Sequence, residues 1–205
     1  MPAERVGELV FGIIACWTGD PEEGRAALAS LYALGEVVAD AVEVMPYPSI
    51  YAFTEEGAAA LHGAELRSMF SQDLSDAAID ALIEGVRNST APMSMVQLRG
   101  LGGALARVDT GATAFAHRDA RVLTLIVSIW HDAQEDSTAH RRWTRELFAQ
   151  VRDERDGVYV NFVTNEGEER IREAYSNGAY ERLARVKRTW DPDNVFQGNQ
   201  NIRPA

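Results

Sequence analysis

Tyr159 and Asn161 lie in the run Gly157-Val158-Tyr159-Val160-Asn161-Phe162, where polar and apolar residues alternate. In a strand, that alternation sends a phenol and a carboxamide out of one face. Such a pair is either wetted or aimed at a ligand, and pattern alone leaves both readings open. A phenol can give or take a proton, and an amide offers both a donor and an acceptor. Other chemistry is sparse. His62, His117, His131 and His140 are scattered, with no HExxH or Cys/His spacing, so no metal site is expected. The lone cysteine, Cys16, excludes an internal disulfide, and its apolar surroundings predict a buried, inert thiol. No GxSxG elbow occurs. Gly100-Leu101-Gly102-Gly103 lacks phosphate-loop spacing and leads into a strand-like 104–108, so it reads as a tight turn or bulge. The acidic runs at 132–136 and 166–169 read as solvated surface and helix starts.

The elements that must position these residues follow from periodicity and caps. Residues 9–17 are apolar at nearly every position and predict a strand buried on both faces. Asp20-Pro21-Glu22-Glu23 is a helix start, and the helix should stop near Gly35. Weaker strand signals cover 37–44, 67–73, 93–99 and 103–108, while 46–66 is irregular. Ser75 caps a helix to Arg87 with Ile79, Leu82, Ile83 and Val86 in a stripe. Residues 121–130 form the clearest strand. One face is aliphatic (Leu123, Leu125, Val127, Ile129). The other admits Thr124 and Ser128, and reads as a ligand-facing surface. A long helix over 137–155, a strand over 158–163 and helices near 167–175 and 178–189 complete the chain. Strands and helices mix without regular alternation. An α+β fold follows: an antiparallel β-sheet of about five to seven strands with helices covering one face.

Composition sets the outer limits. With 205 residues, 46% hydrophobic and 25% charged, the chain can bury a core without staples. A net charge of −11 disfavours nucleic acid, because phosphate neutralisation needs a basic surface. The acidity is uneven: residues 1–100 hold 15 acids and 5 bases, whereas 101–205 hold 16 and 15. The second half therefore tolerates an anionic partner better. No apolar run reaches a membrane span, and the start lacks signal-peptide features, so a cytoplasmic protein is expected.

The end of the chain carries a resemblance. Tyr159-Val-Asn161-Phe162, Ala174-Tyr175 and Tyr180-Glu-Arg182-Leu183 lead to Trp190-Asp191-Pro192-Asp193-Asn194 and Asn199-Gln200-Asn201. With Gly102-Gly103-Ala104 and the run 113–120 upstream, this ordered set resembles the C-terminal part of FAD-linked oxidases related to berberine bridge enzyme. The resemblance implies FAD as cofactor, with its main binding domain, and the histidine and cysteine that bond the flavin, supplied elsewhere. It implies that 1–156 is a partial substrate-binding domain. Residues 157–205 would be the YxN strand and the segment returning to the FAD-binding domain. It implies Tyr159 as a catalytic base, Asn161, Asn199 and Asn201 at the flavin, and Gln97 and Arg99 lining the substrate pocket. A structural tyrosine, a surface arginine and a loop-anchoring His117-Arg118 pair remain the alternatives. The implied activity is oxidation of an alcohol, sugar or secondary metabolite, absent from this chain alone. The expected partners are a small-molecule substrate and a separate FAD-binding domain. The contrasting expectation is a non-catalytic binding module whose exposed half-interface self-associates as a homodimer.

Overall fold

The computed structural model describes residues 5, 7–52, 63–132, 136–152, 157–164, 166–175, 178–198 and 200–205. The chain forms two compact units, 1–60 and 61–205. In the first, helix α1 spans Pro21–Tyr32, and the Asp20 carboxylate accepts from the backbone N–H groups of Glu22 and Glu23. A short 3₁₀ turn covers Tyr47–Tyr51. Neither 9–17 nor 37–44 is a strand. A strand needs a neighbour to take its N–H and C=O groups, and among the described residues no ladder includes these segments. The side chains of 9–17 are exposed rather than buried, Phe11 at 79% and Ile14 at 69%. Cys16 is exposed with them, contrary to the buried thiol its neighbours suggested.

The second unit carries the sheet. Strands β1 (Gly63–Ser71), β2 (Met93–Gly100) and β3 (Val122–Trp130) are all antiparallel in the order β1-β3-β2. Three strands stand where five to seven were expected, because 9–17, 37–44, 103–108 and 158–163 do not join among the described residues. The α+β class holds. Helix α2 (Asp76–Arg87) starts at Ser75, whose hydroxyl accepts from the Ala78 N–H. Helix α3 is the single turn Gly103–Ala106, so the segment read as a strand after the glycines is helical. Gly102 and Gly103 have φ of +135° and +51°, a reversal that stops β2 from continuing. Helices α4 (Thr138–Val151), α5 (Glu168–Ala174) and α6 (Ala179–Trp190) follow.

The two faces of β3 play roles opposite to those its pattern suggested. Ile126 packs with Met69, Leu82, Trp143, Leu147 and Phe148, so the face bearing Thr124 and Ser128 is the helix-covered core. Ser128 is met by α4: its hydroxyl lies 2.7 Å from that of Thr144 and donates to the His140 carbonyl at 3.2 Å, whereas the Thr124 hydroxyl is buried without a hydrogen-bond partner. The aliphatic face, with Leu125, Val127 and Ile129, is opposite the helices and meets Leu66, Met93, Met95 and Phe162. Periodicity finds polar positions, but cannot say that a facing helix supplies matching hydroxyls.

Ile126 is fully buried and Ile79 is 40% exposed. Ile126→Ala should therefore lower stability in urea titrations by about 2–5 kcal/mol. Ile79→Ala on α2 should change it by no more than about 1 kcal/mol.

Candidate active site

The segment 157–164 runs along the outer edge of β1, but not as a strand. Phe70 N–H donates to the Gly157 carbonyl at 3.1 Å in an isolated bridge. The Tyr159 N–H donates to the Ser68 hydroxyl at 3.3 Å. The chain then closes a 3₁₀ turn over Val160–Phe162, with Phe162 N–H on the Tyr159 carbonyl at 2.8 Å. Val158 and Val163 explain the turn. Both are buried with Ala174 at the end of α5, which draws the two ends of the segment inward. The intervening residues bulge away, and strict alternation is lost. Phe162, expected opposite Tyr159, instead packs edge-on against it with ring centroids 5.2 Å apart.

The turn brings Tyr159 and Asn161 together by a different route from the one their spacing suggested. The Asn161 amide donates to the Tyr159 hydroxyl at 2.9 Å. Phe162 then links this pair to β2. Gln97 and Arg99 are paired in register with Leu125 and Leu123, which places them on the same helix-free face. The Arg99 guanidinium sits 4.8 Å from the centroid of the Phe162 ring and donates to the Gln97 amide oxygen at 2.9 Å. Four sequence-derived candidates, Gln97, Arg99, Tyr159 and Asn161, therefore converge around one phenylalanine. Asn161 and Arg99 are exposed, and Tyr159 and Gln97 half-buried.

Behind Tyr159 stands an aromatic wall that pattern reading did not single out. Tyr159 meets Phe70 and Phe115 edge-on, each at 6.3 Å. His117 stacks on Phe70 at 4.4 Å with the planes 18° apart. Two signals were available: Phe115 and His117 are two apart in one loop, and Phe70 is next to last in β1. Arg118 is the loop anchor. Its buried guanidinium donates to the Leu105 carbonyl at 3.0 Å and the Thr113 hydroxyl at 2.8 Å. His117 has another place. Burial pushes its pKa down, against the backbone of Ala174 and Glu173 and the Asp119 charge, which pull it up.

The C-terminal tail reaches the same segment. Lys187 bonds the Phe196 carbonyl and pairs with Asp191 at 2.9 Å. That hydrogen bond holds the Asp191 carboxyl below the usual range, while its oxygens accept from Val195 and Phe196 N–H. The Gln200 amide donates to the Val163 carbonyl, so residues 200–201 lie beside the turn. The Asn201 amide oxygen is buried without a hydrogen-bond partner. Asn199 lies outside the described residues.

Residues 158–203 match the family model "Berberine and berberine like". An uncharacterized FAD-linked oxidoreductase of Bacillus subtilis is 34% identical over 137 residues, covering 67% of this chain and 30% of the relative. The aclacinomycin-N/aclacinomycin-A oxidase of Streptomyces galilaeus is 29% identical, covering 53% of this chain and 21% of its own. Among solved structures, a chitooligosaccharide oxidase superposes with a TM-score of 0.71 at 21% identity, covering 91% of this chain and 44% of that one. The chain spans less than half the length of each of these relatives.

A side chain at Gly157 would enter the His117 ring, whereas one at Gly198 would meet nothing within 4 Å. Gly157→Ala should thus cost about 1–3 kcal/mol in chemical denaturation, the usual penalty of overpacking. Gly198→Ala should be neutral within about 0.5 kcal/mol.

Proposed function

The chain belongs to the berberine-like family of FAD-linked oxidoreductases, and from that premise we propose that it forms the substrate-side wall of an alcohol-oxidising active site. The observation that carries the reading is the convergence of Tyr159, Asn161, Gln97 and Arg99 on one sheet face. In this reading 1–156 belongs to the substrate-binding part, 157–205 returns to an FAD-binding domain, and that domain is a separate partner.

The residues present fit one edge of a flavin ring. Asn161 is exposed and leaves its amide oxygen free beside the phenol, and Asn201 holds an unpartnered amide oxygen next to the same turn. Asn161, Asn201 and, by sequence alone, Asn199 would hold that edge. Gly102-Gly103 opens only a four-residue helix, too short to cradle a diphosphate. FAD, when bound, supplies a hydride acceptor. Tyr159 takes the proton of the substrate hydroxyl while the adjacent carbon gives up its hydride, leaving a carbonyl. The Asn161 N–H already points at the phenolic oxygen, so the oxygen that handles the proton is fixed in place. Phe70, Phe115 and Phe162 surround the phenol with apolar rings that exclude water. Gln97 and Arg99 orient the substrate with their remaining N–H groups. An alcohol of a sugar or secondary metabolite is the substrate class, with dioxygen or another acceptor taking the electrons.

The exposed apolar run at 9–14 favours a second reading, a non-catalytic module that self-associates as a homodimer. Sedimentation velocity together with flavin binding separates the two. The first reading expects flavin mononucleotide to shift the Asn161 side-chain amide signals in NMR, with adenosine monophosphate leaving them unmoved. A chain that dimerises and shows no such shift belongs to the second. In a flavin-loaded assembly with the FAD-binding partner, Tyr159→Phe should lower kcat about 10²–10⁴-fold, as loss of a general base does. An unchanged kcat would remove Tyr159 from the proton transfer.

A further inference from the structure

The His117 imidazole is held in a way that none of the roles above uses. Its ring lies flat on Phe70 at 4.4 Å and edge-on to Phe115 at 6.3 Å. Those two phenylalanines are rings that hold the Tyr159 phenol. The same imidazole occupies the space where a side chain at Gly157 would be. Gly157 in turn is the bridge that joins the 157–164 segment to Phe70. His117 thus touches both supports of the phenol: the aromatic wall beside it and the backbone two residues before it. Its Nε2 is buried with no hydrogen-bond partner. An orphaned ring nitrogen is a poor choice for a mere space-filler, since a phenylalanine would fill the volume at no polar cost.

We propose that His117 is a positioning residue for Tyr159, which holds the phenol in register when its imidazole is neutral and releases it when protonated. A neutral imidazole stacks on Phe70 and tolerates the dry environment of its Nε2. A protonated one carries a second N–H into that environment, where nothing accepts it. The charged ring leaves the pocket, and the stack on Phe70 is lost with it. The groups facing His117 frame this balance. Asp119 on its own loop and the backbone of Glu173 and Ala174 draw a proton toward the ring, while Arg170 on α5 repels it. The Glu173 carboxylate is already taken by Arg170 and Arg152. Arg118 is turned to Leu105 and Thr113, and Tyr159 meets the same two phenylalanines. Burial outweighs the pull of Asp119 and the carbonyls, so the folded protein keeps the ring neutral below the pH at which a free histidine, near ~6.5, takes up its proton. The unfolded chain then binds more protons, so this contribution to stability is complete above that pH and is lost as the pH falls.

The functional meaning of the phenol's register rests on the proposed role of Tyr159, but the coupling itself does not. The test is an NMR titration of the whole chain from pH 8 to pH 5, following the His117 ring and the Tyr159 ring together. The expected result is one shared midpoint, displaced below that of an exposed histidine, at which the Tyr159 signals change. His117→Phe should keep the ring stack and flatten the pH profile of the Tyr159 signals. His117→Ala should give the low-pH Tyr159 signals at every pH. Should either variant fail to fold, the wild-type titration still decides the matter. Tyr159 signals that stay constant while His117 titrates would overturn the proposal, as would a His117→Phe variant that keeps the wild-type pH profile. Loss of flavin binding with the coupling intact would refute the oxidase reading and leave this one standing.

Discussion

A buried carboxylate holds the site-bearing half of the chain together. The Glu65 side chain is only 2% exposed, a costly position for a charge unless arginines surround it. Arg67 meets it at 2.7 Å, and Arg141 and Arg145 from α4 each at 2.9 Å. The network then continues from Arg67 to Glu166 and from Glu166 to Arg170, both at 3.4 Å. Arg170 donates back to the Ser68 carbonyl at 3.1 Å. Strand, long helix and short helix are thereby locked at one edge of the sheet. This matters because the 157–164 segment has only one bridge to β1. Its position is fixed by what flanks it: the Arg67 bond to the Thr164 hydroxyl at 3.1 Å and the valines buried against α5.

The sheet then divides its labour. One face turns Ser128 toward α4, where its hydroxyl meets that of Thr144, while the Thr124 hydroxyl stays buried without a partner. The other is aliphatic in β3 and receives polar groups from its neighbours, Gln97 and Arg99 on β2, Ser68 on β1 and Tyr159 and Asn161 at the β1 edge. Polar side chains on a rigid apolar floor have few alternative partners. They bond one another instead, as Arg99 does with Gln97 and Asn161 with Tyr159. Such a group is already oriented before anything binds, because Gln97 and Arg99 stand on a strand and the turn bearing Tyr159 and Asn161 is held against β1.

What could be read from the sequence was the local part. The Asp20 and Ser75 caps, the long run of β3 and the final helix depend on neighbours within a few residues, and they stand as expected. The errors fall where a distant partner decides. The apolar run at 9–17 has the composition of a strand but no ladder, and the alternation at 158–162 yields to two valines seeking α5. A charged residue such as Glu65 hides the true start of β1, because two of the three arginines that neutralise it lie 76 and 80 positions away. The site shows the same division. Its four polar members follow from a resemblance. That Phe70, Phe115 and His117 stack around the phenol could not be read from spacing, because stacking is a property of the folded contact.

The strand order has a consequence for how this chain comes into being. Strands β1 and β2 each pair only with β3, which is the last to be made. β1 ends at Ser71 and β3 begins at Val122, so no part of the sheet can close until the ribosome has passed its central strand. Throughout that interval two half-ladders, with Met69, Phe70, Met93 and Met95 on them, wait without their common neighbour. Non-local pairing of this kind is slow and leaves apolar edges open to other chains. The growing polypeptide therefore passes through a vulnerable window, and the speed of translation between those strands sets how long that window lasts.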